Sequence, residues 1–73
     1  MNSENLVRMA NHIGEFFEAM PDRDEALEGI ASHIRKFWEP RMRRQFLAAM
    51  DAGGHGASEI VVRAMERFRC VVA

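Results

Sequence analysis

The stretch HIRKFWEPRMRRQF, residues His33 to Phe46, marks a break between two helices in this 73-residue chain. The residue before a proline avoids the α-helical region, so a helix that reaches this point ends near Glu39. Pro40 suits the first position of a new helix, because that position needs no backbone N–H donor. The stretch therefore predicts a corner between two helices, with the only tryptophan of the chain, Trp38, at the bend.

The chain before this corner has the periodicity of two amphipathic helices. We predict helix one from about Glu4 to Met20, capped by Ser3 and stopped by Pro21. Helix two follows Asp22, which with Glu25 resembles a capping box. A link this short favours an antiparallel hairpin. The predicted core faces are Leu6, Met9, Ala10, Ile13, Phe16, Phe17 and Met20 in helix one, and Leu27, Ile30, Ala31, Ile34, Phe37 and Trp38 in helix two.

The chain after the corner has the pattern of one or two further helices. Helix three is predicted from Pro40 to about Ala52, where the GGHG run at residues 53–56 ends it. Ser58 can cap a last helix. No segment alternates with a period of two, so we expect an all-α domain of three to four helices over residues 1–73. The predicted apolar stripes are Met42, Phe46, Leu47, Ala49 and Met50, then Val61, Ala64, Met65 and Phe68.

The composition restricts the class of protein. The chain is 48% hydrophobic, too apolar for a disordered segment, yet no apolar run is long enough to span a membrane. Its N-terminus lacks the basic start and apolar block of a signal peptide, so we expect a cytoplasmic protein. A chain this short buries little core, and Cys70 alone cannot form an internal disulfide. A partner or self-association is therefore the expected source of added stability.

Charge is distributed unevenly, although the net charge is only −1. The first thirty residues carry seven acids against Arg8 and Arg23, whereas residues 35–44 carry five bases against Glu39 alone. Arginine binds carboxylates or phosphates bidentately, and Trp and Arg are enriched at interface hot spots. The basic stretch therefore predicts a contact surface for an acidic protein or for a nucleic acid. The acidic half argues against the nucleic acid.

Catalytic chemistry has little support in the sequence. Cys70 has no histidine near it in the chain that could act as a base, so we interpret it as a bystander thiol. The GGHG run lacks the preceding strand and the GK[ST] ending of a phosphate-binding loop, and His55 within it is expected to be exposed. The acids that resemble a carboxylate cluster are better explained as helix-start and solvent-facing residues: Asp22, Asp24, Glu25 and Glu28.

Three segments together resemble a known family: LVRMANHIGEFF (residues 6–17), HIRKFWEPRMRRQF (residues 33–46) and DAGGHG (residues 51–56). In order and spacing they are similar to the delta subunit of cytoplasmic NAD-dependent formate dehydrogenases. The most specific part is the run FWEPRMR from Phe37 to Arg43. One departure follows DAGGHG, where Ala57, Ser58 and Glu59 replace an expected leucine and proline, which affects the detailed contacts of the last helix.

The resemblance implies an accessory, non-catalytic subunit of a complex that oxidises formate and reduces NAD. It implies docking on a large alpha subunit that holds a molybdenum or tungsten bis-molybdopterin guanine dinucleotide centre and iron–sulfur clusters. Beta and gamma subunits would carry FMN and further clusters, and this chain would hold no cofactor. Its role would be assembly, cofactor maturation or stability of the complex. The alternative is a free-standing helical regulator or nucleic-acid-binding module that uses the basic stretch Arg35–Arg44.

The corner is the predicted partner-binding site. Phe37 and Trp38 are expected to anchor it, and Pro40 to fix its angle. Asn11, on the rim of the first helix, is a second predicted contact. The arginines expected to meet acidic groups of the partner are Arg41, Arg43 and Arg44.

Overall fold

The computed structural model describes residues 2–73, which form four α-helices. No strand occurs in this range, so the prediction of an all-α fold is confirmed. None of the four helices is long and apolar enough to cross a bilayer. The helices are α1 (Ser3–Glu18), α2 (Arg23–Phe37), α3 (Pro40–Asp51) and α4 (Glu59–Val72).

Side-chain caps begin the first two helices. Asn2 is the N-cap of α1, where its side chain accepts a hydrogen bond from the backbone N–H of Glu4 at 2.7 Å. The prediction that Ser3 caps this helix is wrong by one residue, because Ser3 already lies in the first turn. Asp22 caps α2 as predicted and accepts a hydrogen bond from the N–H of Glu25 at 3.2 Å.

The glycine run ends α3 in a Schellman turn. The N–H of Gly54 donates to the carbonyl of Ala49 at 3.0 Å, and that of Gly53 to the carbonyl of Met50 at 3.1 Å. The two glycines have φ angles of +60° and +120°, which lie in the region that glycine adopts most readily. His55 follows them and is exposed, as the sequence predicts.

Apolar side chains from all four helices form the core. Helix α2 packs most extensively on α4, and α1 contacts each of the other three helices. No polar or charged side chain among the described residues is buried, so apolar packing dominates the stability of the fold. The largest fully buried side chains are Leu6, Ile30, Ile34, Phe46, Ile60, Val61 and Val72.

Two glycines let α1 lie close to its neighbours. A Cβ on Gly14 would be 2.9 Å from Cγ2 of Ile60 and 3.1 Å from Cγ2 of Val61, at the start of α4. A Cβ on Gly29 of α2 would be 2.5 Å from the ring of Phe17. Neither position has room for a side chain, so glycine is required at both for the helices to pack at this distance.

The contacts between α1 and α2 are those of two helices that run in opposite directions. Phe17, near the end of α1, lies over Gly29 in the middle of α2. Met9, two turns earlier on α1, lines the same depression as Trp38, which follows the end of α2. This is the order of contacts that an antiparallel hairpin gives.

Two phenylalanine rings on the apolar faces of α1 and α2 are exposed. Phe16 is 75% exposed and Phe37 is 71% exposed. Phe16 lies at the margin of the apolar stripe of α1, and Phe37 is the last residue of α2, positions that the neighbouring helices do not cover. The prediction that Phe16 belongs to the buried stripe is therefore wrong, and of the two uses that the sequence leaves open for Phe37, core packing is excluded. Both rings add to the apolar surface of the molecule.

Candidate partner-binding surface

The corner between α2 and α3 is built around the indole of Trp38. The backbone N–H of Trp38 donates to the carbonyl of Ile34 at 3.0 Å and ends α2. The indole is 7% exposed and meets the ring of Phe46 edge to face, with centroids 5.4 Å apart. Trp38 thus stabilises the corner by packing its buried indole on Phe46. Its contact with a partner stays a prediction.

Pro40 opens α3 at the first helical position, as the sequence predicts. Glu39 before it is the N-cap, with an extended backbone (φ −65°, ψ 153°) and no side-chain cap hydrogen bond. The missing N–H of proline costs little here, since the first N–H groups of a helix have no intrahelical acceptor. Local sequence therefore sets the direction in which the chain leaves the corner.

Arg43 closes the corner from the α3 side. Its Nη1 donates to the backbone carbonyl of Arg35 at 2.9 Å, one of the last-turn carbonyls of α2. A positive charge at a helix C-terminus also interacts favourably with the helix dipole. Arg43 Nε is buried without a hydrogen-bond partner in the described chain. Arg43, predicted to face a partner, is thus held by an intramolecular bond.

Asn11 connects α1 to the loop before α4. Its Nδ2 donates to the carbonyl of Gly56 at 2.8 Å, and its Oδ1 accepts from the backbone N–H of Ser58 at 2.9 Å. Ser58 is the N-cap of α4 as predicted, but its hydroxyl makes no cap hydrogen bond. The Asn11 side chain binds the N–H of Ser58 itself, not the first-turn N–H groups that a cap hydroxyl would bind. The structure thus gives Asn11 an intramolecular function, and its contact with a partner stays a prediction.

Most bases of the chain have a partner within it. The chain has ten lysines and arginines, and six of them make side-chain hydrogen bonds or ion pairs: Arg8, Arg23, Arg43, Arg63, Arg67 and Arg69. The other four are exposed, have no such partner among the described residues, and all come from the predicted basic stretch: Arg35, Lys36, Arg41 and Arg44. We call these four the free bases.

The acids elsewhere on the molecule neutralise the bases of α4. Arg69 forms a bidentate pair with Asp51 of α3, with both N···O distances at 2.8 Å. The hydrogen bond and the attraction between these two charges raise the pKa of Arg69. Arg67 reaches Asp24 of α2 at 2.6 Å. The free bases consequently form a positive surface that the fold itself does not balance.

An exposed apolar groove runs between α1 and α2. It consists of two depressions of about 480 Å³ and 200 Å³, which share Ile13 and His33 in their linings. The ring of His33 stacks on Phe37 with centroids 4.6 Å apart, so the groove continues to the corner. We define this α1–α2 groove by its apolar lining, Met9, Ile13, Phe16, Phe17 and Trp38, and by its polar lining, Arg8, His12 and His33.

Sequence reasoning missed the groove because it assigned Met9 and Phe16 to the core. The apolar stripe on α1 contains more apolar residues than the neighbouring helices bury, and this width is the feature of the sequence that indicates an uncovered apolar surface.

Within the described residues, no group of three or more His, Cys, Asp or Glu side chains could hold a metal ion. Cys70 is exposed.

Comparison with protein families gives one match that covers most of the chain. The family is described as the NADH-dependent formate dehydrogenase delta subunit (FdsD), and its model matches residues 5–65. The matched range includes Asn11, the corner and the glycine run. No curated protein and no solved structure matches the chain.

Proposed function

Because this chain belongs to the NADH-dependent formate dehydrogenase delta subunit family, we propose that it is a non-catalytic accessory subunit that docks on the catalytic alpha subunit of that complex. The docking surface is the corner between α2 and α3. There Arg41 and Arg44 meet carboxylates of the alpha subunit, and the exposed ring of Phe37 packs beside them. Docking supports assembly, cofactor maturation or stability of the complex.

The observation that carries this proposal is the position of the free bases. Away from the corner, Arg8 is bonded to the neutral Asn5 amide, and the other bases are paired with carboxylates: Arg23, Arg63, Arg67 and Arg69. An acidic surface approaching the molecule is therefore attracted mainly to the corner, where Arg43 adds its charge to the free bases. Arg41 and Arg44 lie in the first turns of α3, which Pro40 and Trp38 hold in a fixed direction. Such a fixed basic surface supports oriented docking rather than loose attraction.

We propose that the cofactors of the reaction lie on other subunits. The bis-molybdopterin guanine dinucleotide centre belongs on the alpha subunit, and FMN and the iron–sulfur clusters on the alpha, beta and gamma subunits. An iron–sulfur cluster is held by four ligands, usually cysteine thiolates, and this chain has Cys70 alone. The chain therefore contributes contacts rather than redox chemistry.

The test is co-purification from cells that express the chain, with an affinity tag, together with the other subunits. We expect Arg41→Glu combined with Arg44→Glu to reduce recovery of the alpha subunit by about tenfold or more, because both reversed charges would oppose the partner's carboxylates. The helical circular dichroism should not change, since both side chains are exposed and make no hydrogen bond or ion pair within the described chain. Unchanged recovery would contradict the proposal.

The matched control is Arg63→Glu combined with Arg67→Glu, which changes the net charge by the same amount on α4. Both arginines are about half exposed and make surface ion pairs, each of which contributes less than about 1 kcal/mol. Recovery of the alpha subunit should stay close to that of the unmodified chain. Equal loss in both double variants would show that net charge, rather than the corner, controls recovery.

The free bases could also bind phosphates, and salt dependence separates this use from docking. Binding through four bases would give a slope of roughly −3.6 for the logarithm of the binding constant against the logarithm of salt concentration on duplex DNA. We expect no measurable binding of the purified chain to duplex DNA at about 0.15 M salt, where exposed charges are largely screened. Binding that shows this slope would favour the nucleic-acid-binding alternative.

A further inference from the structure

The α1–α2 groove leaves an apolar surface uncovered. Phe16 is 75% exposed, Phe37 is 71% exposed and Met9 is 37% exposed. Single exposed apolar side chains are normal in soluble proteins, but these three lie along one continuous groove and its end at the corner. A contiguous apolar surface rimmed by polar side chains is typical of an interaction site.

The one charged side chain among the described residues that line the groove, Arg8, is positive. Its polar lining consists of Arg8, His12 and His33, and no carboxylate lines either depression. Lys36, one of the free bases, follows His33 by one helical turn on α2 and is exposed. An occupant that carries carboxylates beside its apolar side chains is therefore favoured. A second copy of the same groove would offer no carboxylate to Arg8.

The shape of the groove favours a helical occupant. Two packed helices leave a furrow along their line of contact, and a third helix can place its side chains into that furrow. Met9 and Phe16 are seven residues apart on α1, which corresponds to roughly 10 Å along the helix axis. An apolar stripe of about two helical turns matches this length.

We propose that the α1–α2 groove binds an amphipathic α-helix of a partner subunit, with its apolar stripe on Met9 and Phe16 and its acidic flanks toward Arg8 and Lys36. The inference rests on the proposed function, since it takes the occupant from the same complex. It uses a different surface from Arg41 and Arg44, and it states the chemistry of the partner segment. The groove and the corner meet at Trp38, so one partner surface can cover both.

The test is site-specific photo-crosslinking in the assembled complex. Phe16 is replaced by p-benzoylphenylalanine, which its exposed position accommodates, and the crosslinked peptide is identified by mass spectrometry. We expect a crosslink to a segment of another subunit that has apolar residues spaced three and four apart with Asp or Glu beside them. The same replacement at Glu28, which is exposed and lies outside the groove lining, serves as the control and should give no crosslink to that segment.

The outcomes distinguish the two proposals. Three results in a recovered complex would overturn the inference about the groove: no crosslink from position 16, a crosslink to a second copy of the chain, or a crosslink to a segment that lacks acids. Each of these results would leave the proposed docking function standing. Failure of the tagged, unmodified chain to recover any other subunit would overturn both. A crosslink of equal yield from position 28 to the same segment would also count against the groove.

Discussion

Neighbouring residues Phe37 and Trp38 have opposite surroundings. Helical periodicity places both on one face, since both follow the apolar stripe of α2. The helix ends at Phe37, and the extended backbone of Trp38 (φ −98°, ψ 138°) directs the indole to Phe46. The sequence predicts the break at Pro40, but not which of the two rings is buried, because that depends on where α3, which packs mainly on α1, places Phe46.

Alanine substitutions at these two positions should differ strongly in effect. We expect Trp38→Ala to lower the free energy of unfolding by about 3–5 kcal/mol, because it leaves a cavity beside Phe46. Phe37→Ala should change it by less than about 0.5 kcal/mol, since most of that ring is exposed. Urea unfolding followed by circular dichroism measures both, and equal losses would contradict the burial of the indole.

Asn11 should matter for stability although its residue type suggests only a surface contact. Asn11→Ala removes two hydrogen bonds, to the carbonyl of Gly56 and from the N–H of Ser58, each with a net contribution of about 0.5–1.5 kcal/mol. We expect a loss of about 1–3 kcal/mol in the free energy of unfolding by urea. Glu15→Ala, at an exposed position on the same helix, is the control and should change stability by less than about 0.5 kcal/mol.

At the scale of elements, Arg43 links the first turns of α3 to the end of α2. Its hydrogen bond to the carbonyl of Arg35 fixes the end of one helix to the first turn of the next. The sequence places Arg41, Arg43 and Arg44 in one basic run, and nothing local shows that one of them bonds to the preceding helix. Only the angle of the corner brings the Arg43 guanidinium within reach of that carbonyl.

This difference between neighbouring arginines is testable. Arg43→Met keeps an unbranched apolar stem but removes the guanidinium and its hydrogen bond to the Arg35 carbonyl, and we expect it to destabilise the chain by about 1.5–3 kcal/mol. Arg44→Met should have an effect below about 0.5 kcal/mol, because Arg44 is exposed and has no partner among residues 2–73. Thermal or urea unfolding compares the two, and similar effects would argue against the intramolecular role of Arg43.

Local chemistry predicted where the helices begin and end better than it predicted which side chains on their surfaces are exposed. Pro21, Pro40 and the glycine run stop or start helices through their own backbone limits, so the sequence places these ends within a few residues. Phe16 could not be placed in this way. Whether the margin of an apolar stripe is covered depends on where the other helices lie, and that is a property of the whole fold.

At the scale of the molecule, the fold redistributes the uneven charge of the sequence. Asp24 pairs with Arg67, which lies 43 residues away in the chain, and Arg23 pairs with Glu18 and Glu59. A count of charges along the sequence therefore identifies the basic stretch. It does not show that the four bases without a side-chain partner in the described residues all lie in that stretch. The fold leaves two features uncovered, the free bases and the α1–α2 groove, and the groove reaches the corner at Trp38.

Hydroxyl-radical footprinting of the chain, free and in the assembled formate dehydrogenase, tests most directly whether the corner and groove are the docking surface. Side-chain oxidation of Met9, Phe16 and Phe37 reports exposure on that surface, and the exposed thiol of Cys70 on α4 serves as an internal control. We expect oxidation of Phe37 and Phe16 to fall severalfold on assembly while oxidation of Cys70 stays nearly constant. Equal oxidation of the two phenylalanines in the free chain and in the assembled enzyme would contradict the account.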